Sequence, residues 1–237
     1  MKIPLVIILL YMFGCRQADD NSSLPTLHNS PTHTVTKSYE EIKHGIVLKR
    51  KDYFARYPSF EALAKNGALD SITDFWVGTI SDDLYESWQN TPWDFNGTTR
   101  VPQRGAIACG YFVTTILKDM SLPIQVQKLA VCPSSEMMKS LFPLQKIKNL
   151  SYLDYAEFND NLKRLSKGVY IIGLDFHTGF IVNDGKENWF IHSNYIMRKG
   201  VTKEAVLISA ALRSSKTRWL ISLTGDKDFL YRWLKQK

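Results

Sequence analysis

Residues 169–192 read VYIIGLDFHTGFIVNDGKENWFIH, and this stretch decides the fold class. Three short runs rich in β-branched and aromatic residues stand in it: Val169 to Leu174, Thr178 to Val182 and Trp189 to His192. Between the last two, Asn183-Asp184-Gly185-Lys186 supplies turn chemistry, so they are expected to pair as an antiparallel hairpin. Two further strands are expected, over Ile124 to Val131, where apolar residues alternate, and over Arg218 to Leu223.

Outward from the meander, the spacing turns helical. Apolar residues recur at helical intervals in Tyr39 to Asn66 (Ile42, Ile46, Phe60, Leu63), a stretch divided by Pro58. The same period runs through Asp70 to Gln89 (Phe75, Val77, Ile80, Leu84, Trp88). Thr91 to Gly105, with Pro92 and Pro102, reads as an ordered loop. A helix is expected from Cys109 to Asp119, because Phe112, Val113, Ile116 and Leu117 share a face. Ser134 to Leu141, Asp154 to Leu165 and Lys203 to Leu212 complete the expected helices. Helices precede an antiparallel meander and no internal repeat is visible, which points to α+β and not to alternating βαβ units.

The 237 residues hold 44% hydrophobic and 22% charged side chains, a folded composition in one or two domains. The formal charge of +7 suits anionic surroundings, but no basic run is dense enough to indicate nucleic acid. Three cysteines cannot staple a scaffold, so the core rests on burial of side chains, among them 6 Trp, 11 Tyr and 12 Phe.

Met1-Lys2 precede a charge-free apolar run from Ile3 to Phe13, shorter than the roughly 20 residues that span a bilayer and matching a secretory signal. Gly14-Cys15 at its end resembles the lipobox of bacterial lipoproteins, with Met12 and Phe13 departing from the usual lipobox residues. The expected organisation is a signal peptide over 1–14, a lipid anchor on Cys15 with a Ser/Thr/Asn/Pro-rich tether over 15–38, and a globular domain over 39–237 with a helical lead-in over 39–90. That places the chain in the cell envelope, exported and held to a bacterial membrane. His28 and His33 in the tether lack the cysteine or carboxylate partners of a metal site, and no metal is expected.

Cys109 opens an apolar helix between Ala108 and Gly110. A thiol at a helix N-terminus feels the positive end of the dipole, and with an imidazolium nearby its pKa is expected to fall, yielding a nucleophile. Taken alone, the residue reads equally as a packed structural cysteine. The histidines change the weighting: His177 opens one strand and His192 lies in the next, so a hairpin can present both rings on one face. His177 is expected as the base and His192 as the group that orients it, with Asn194 in reserve for the second role. Cys132 is expected as a buried thiol; a bridge from it to Cys109 would abolish the nucleophile.

Thr91-Pro92-Trp93-Asp94-Phe95-Asn96-Gly97-Thr98, Ala108-Cys109-Gly110-Tyr111-Phe112-Val113, His177-Thr178-Gly179-Phe180-Ile181-Val182 and Phe190-Ile191-His192 occur in the order of a known family. Over about Trp88 to Tyr195 the chain resembles the NlpC-type, papain-like cysteine peptidases of bacterial cell walls. The resemblance implies a papain-like core with the nucleophile helix packed on a central antiparallel sheet, a Cys109-His177-His192 triad, and no metal or organic cofactor. It also implies amide cleavage in a peptidoglycan peptide by a monomer. Two departures bear on specificity. The family Asp before the nucleophile, associated with the free amine of a stem peptide, is Ala108 here, and the Ser after it is Gly110. The family Tyr near the nucleophile corresponds to Trp93, and the stretch between the cysteine helix and His177 is long enough to hold an insertion over 117–167. Trp93, Asp94 and Arg104 are candidate substrate contacts, the last two equally suited to loop capping. The alternatives are amidase or acyl-transfer chemistry on another substrate, and a non-catalytic envelope lipoprotein.

Overall fold

The computed structural model describes residues 37–236 apart from residue 66. The stretches expected as signal peptide and tether, with Cys15, His28 and His33, lie outside the described residues apart from residues 37 and 38. No helix among the described residues is long and apolar enough to cross a membrane.

The helical lead-in begins with α1 (Tyr39–Arg56), where the Ser38 hydroxyl accepts from the Glu41 N–H and the Glu41 carboxylate accepts from the Ser38 N–H. Pro58 separates it from α2 (Phe60–Leu63), capped by Ser59. The expected helix over 70–89 is a continuous run: α3 (Ala68–Gly78), a π-helical stretch (Thr79–Leu84) and α4 (Tyr85–Trp88). An ordered loop leads to α5 (Cys109–Asp119). The insertion holds α6 (Val126–Ala130), α7 (Ser134–Leu141), β1 (Lys148–Asn149) and α8 (Tyr155–Lys163). After it come β2 (Gly168–Gly173), β3 (Thr178–Asn183), β4 (Asn188–Asn194), β5 (Gly200–Ala205), α9 (Ala210–Ser214), β6 (Trp219–Ser222) and α10 (Lys227–Leu234).

The six strands form one antiparallel sheet in the order β1-β6-β2-β3-β4-β5. Both faces are covered. Val169, Ile171, Phe180, Val182, Ile191 and Ile221 join a large core with the helices α1, α3, α5 and α10. The alternate residues Tyr170, Ile172, Ile181, Phe190 and Leu220 pack with Phe158 and Leu162 of α8 and Leu212 of α9. Two buried faces explain why these strands read as nearly unbroken apolar runs. The β3–β4 turn is the one expected: Asp184 Oδ1 accepts from the N–H groups of Lys186 and Glu187, and Gly185 adopts φ 94°.

Two expectations are corrected. Residues 124–131 contain helix α6 and not a strand, because this segment packs its backbone against the start of α5 instead of joining the sheet. Residues 203–212 are not one helix: β5 pairs with β4 from Trp189↔Ala205 to Asn194↔Gly200, and only 210–214 are α-helical. Pairing supplies the hydrogen bonds that the outer edge of β4 would otherwise lack, a demand from outside the segment that overrides its local spacing.

The lead-in is tied to α5 by a polar contact. The Tyr39 hydroxyl donates to the Asp119 carboxylate and accepts from Trp88 Nε1 at 2.8 Å. Burial pushes the Asp119 carboxyl up to about 6, against the hydrogen bond from Tyr39 and the Lys43 charge, which pull it down. A folded-state value above the unfolded one means that the native state binds the proton more tightly, so this group's contribution falls as pH rises from about 4 through about 6. Asp119→Asn is therefore expected to stabilise the protein by about 1–2 kcal/mol at about pH 8 and to change little below about pH 4. Thermal melts of both proteins across that range check the sign; a uniform loss of stability would contradict it.

Candidate active site

The site gathers where the start of α5 meets the N-terminal end of β3. Ala108 caps α5 in extended conformation (φ −78°, ψ 158°) without a side-chain hydrogen bond, so the first-turn N–H groups remain open to other acceptors. The preceding loop is stitched in place by Ile107 N–H to Pro92 O (2.9 Å), Ala108 N–H to Gly97 O (2.8 Å) and Ser193 Oγ to Ile107 O (2.7 Å). The last of these ties the nucleophile's approach to β4. Gly110 allows the closest packing: a Cβ there would sit 2.0 Å from the Ala130 carbonyl oxygen of α6. The insertion thus gives a steric reason for glycine where the resembled family carries serine.

His177 immediately precedes β3 and is 5% exposed, while His192 on β4 is fully buried. His177 Nε2 lies 2.7 Å from His192 Nδ1, so the hairpin does bring the two expected imidazoles together. Gly179 on β3 admits this arrangement, since a Cβ would meet Phe190 Cε2 at 2.6 Å and His192 Cβ at 2.8 Å. Phe190 stacks on His192 with ring centroids 3.9 Å apart, and Tyr195 sets its ring against His177 at 4.9 Å. Asn194 does not act on His177; its Oδ1 accepts from the Ile196 N–H at 2.8 Å.

Cys109 is a partly exposed residue, and the N–H of Thr178, the residue after His177, acts on its thiol. Its pKa runs opposite to expectation. Burial pushes the thiol up, and the N–H groups of Thr178, Gly110 and Cys109 itself only partly offset this. Burial likewise pulls His177 well below the usual imidazole range, with the neighbouring His192 acting in the same direction. Both shifts favour the neutral forms of thiol and imidazole over a thiolate and an imidazolium. Cys132 is free and partly exposed, not buried as expected; its sulfur donates to Lys128 O at 3.1 Å and makes no bridge to Cys109.

Of the candidate substrate contacts, Trp93 sets its ring 6.3 Å from that of Tyr195, which in turn packs on His177. Asp94 Oδ1 accepts from the Asn96 N–H at 2.8 Å and shapes the loop. Arg104 is exposed, with its main chain bonded to Val101 and Thr99. No cluster of His, Cys, Asp and Glu able to hold a metal ion occurs among the described residues.

Two neighbours of the histidines were not anticipated. Tyr195 stands three residues past His192, at the edge of the resembling stretch, and carried no signal of its own. Glu204 on β5 places Oε1 3.3 Å from His192 Nε2. Burial opposes its ionised form, but hydrogen bonds to His192 and Ser209 and the charges of His192 and Lys199 together hold its carboxyl below the usual range. The alternation of Thr202 and Glu204 with Val201, Lys203 and Ala205 was the available signal, visible only once 200–205 is read as a strand.

No protein-family model, curated protein or solved structure matches this chain.

Proposed function

We propose that the protein is a cysteine hydrolase of the bacterial cell envelope that cleaves an amide bond in a peptidoglycan peptide. One observation carries the reading: two buried imidazoles in contact at 2.7 Å, with the N–H of Thr178, the residue after His177, acting on the thiol of Cys109 at a helix start. His177 Nε2 is engaged by His192, which leaves Nδ1 as the nitrogen available to the thiol. As the sulfur attacks the carbonyl carbon, its proton passes to His177 Nδ1, so charge separates only as the bond forms. Main-chain N–H groups at the open start of α5 stabilise the developing oxyanion. His177 then protonates the departing amine, and water, activated by the same ring, releases the acyl group from sulfur.

The test is incubation of the purified protein with muropeptides, followed by mass spectrometry. New fragment pairs bearing a free amine and a free carboxylate are expected; an unchanged fragment pattern counts against the substrate class.

A second reading, acyl transfer from a donor with an apolar acyl group, is favoured by the exposed rings near the histidines. Phe176, next to His177, is 98% exposed, and Phe95, two residues from Trp93, is 80% exposed. Ala108 offers no carboxylate for a stem-peptide amine, which also suits that reading. Transfer of the acyl group to an added amine, in place of release into water, distinguishes the two.

A further inference from the structure

His192 Nε2 and Glu204 Oε1 are both buried, and neither makes a hydrogen bond of regular geometry. They stand within ion-pair distance of each other, at 3.3 Å, so each is placed to satisfy the other. Unpaired polar atoms in such surroundings are costly, so the side chains are held to one protonation pattern. The register supports the contact: Glu204 faces Phe190 across β5 and β4, one diagonal step from His192, whose own partner is Thr202. The neighbouring Lys203 is committed elsewhere, its ammonium on Ser81 at 2.7 Å. The other polar and charged groups acting on the carboxylate are Ser209, from the turn before α9, and Lys199, from the turn before β5.

We propose that Glu204 is a positioning residue that sets the direction of the hydrogen bonds through both imidazoles; this rests on the hydrolase reading above and deepens it. A carboxylate that accepts from His192 Nε2–H leaves His192 Nδ1 as a lone pair. That lone pair must accept from His177 Nε2–H, since the two nitrogens are 2.7 Å apart. His177 Nδ1 is then unprotonated and serves as the base. Reversing the His192 tautomer would place a second donor against His177 and put the proton on the wrong nitrogen. When the thiol proton arrives at His177 Nδ1, the carboxylate also stabilises the positive charge shared across the ring pair, remaining ionised itself.

The experiment uses full-length protein with 15N-labelled histidine and needs no substrate. Long-range proton–nitrogen spectra of the wild type are expected to show His192 protonated at Nε2 and bare at Nδ1. In Glu204→Gln the amide oxygen still accepts, so the tautomer is kept while the charge is lost. In Glu204→Ala the single tautomer is lost as well. Iodoacetamide labelling of Cys109 near neutral pH is expected to slow about tenfold in Glu204→Gln and further in Glu204→Ala, yet stay within about twofold at about pH 10, where the thiol ionises without a base. A fold defect would slow or speed both pH regimes together, and if Glu204→Ala fails to fold, the wild-type spectrum and the Gln variant carry the test. His192 protonated at Nδ1 in the wild type, or unchanged neutral-pH labelling in Glu204→Gln, overturns the role. A protein with the expected tautomer that cuts no muropeptide loses its proposed substrate and keeps this role; one that cuts muropeptides with the opposite tautomer loses only the role of Glu204.

Discussion

Cys109→Ala is expected to reduce muropeptide hydrolysis by about 10⁴-fold or more while leaving the fold intact. In the proposed mechanism the Cys109 sulfur is the atom to which the acyl group is transferred. Cys132, the other cysteine among the described residues, follows α6 and its sulfur contacts Lys128 O. The imidazoles of His177 and His192 remain paired in the variant, but with no nucleophile their base has nothing to deprotonate except water. Stability should change by less than about 1 kcal/mol, because Cys109 is not fully buried, main-chain N–H groups act on its thiol, and alanine favours a helix. Fragment quantification by mass spectrometry, paired with a thermal melt, separates lost chemistry from lost structure. Full activity in a folded Cys109→Ala protein would end the thiol mechanism.

The second large effect is expected at the adjacent position. Gly110→Ala should destabilise the protein by about 3 kcal/mol, lowering its melting temperature by about 6–12 °C for a domain of this size. Two terms of opposite sign compete. Replacing glycine by alanine inside a helix ordinarily stabilises by about 0.5–1 kcal/mol. Against this, the added Cβ would lie 2.0 Å from the Ala130 carbonyl oxygen and 3.0 Å from its carbon. The obstructing atoms are backbone, so relief requires moving α6 or the start of α5, not turning a side chain. The steric term should therefore win, and the displacement acts directly on Cys109. A stabilised Gly110→Ala protein would show that α6 does not pack as described, and with it the steric account of the missing serine would fall.

Much of this was legible in local sequence. The start of α5 at Cys109 follows from the apolar face of Phe112, Val113, Ile116 and Leu117, all of them buried. The β3–β4 turn follows from Asn183, Asp184 and Gly185, whose side chains and φ preferences act within the turn itself. The candidate pair His177 and His192 was legible for the same reason: a hairpin with a short turn brings the ends of its strands together, and the rings meet at 2.7 Å. Even α10 carried its signal, with Asp226 as cap and Phe229, Leu230, Trp233 and Leu234 at helical spacing, although it lies beyond the last element expected.

What tertiary structure decided depends on partners distant in the chain. Residues 124–131 alternate like a strand but coil into α6, because their neighbour in space is Gly110 and not a sheet edge. Residues 200–205 pair with β4, and only that pairing puts Glu204 beside His192. The thiol's rise, against the fall expected from a helix start, comes from desolvation by residues far apart in sequence, a cost that local motif chemistry does not contain. Periodicity and turn chemistry report what a segment can do with its own hydrogen bonds and faces; burial, strand pairing and proton wiring are set by which segments arrive next to it.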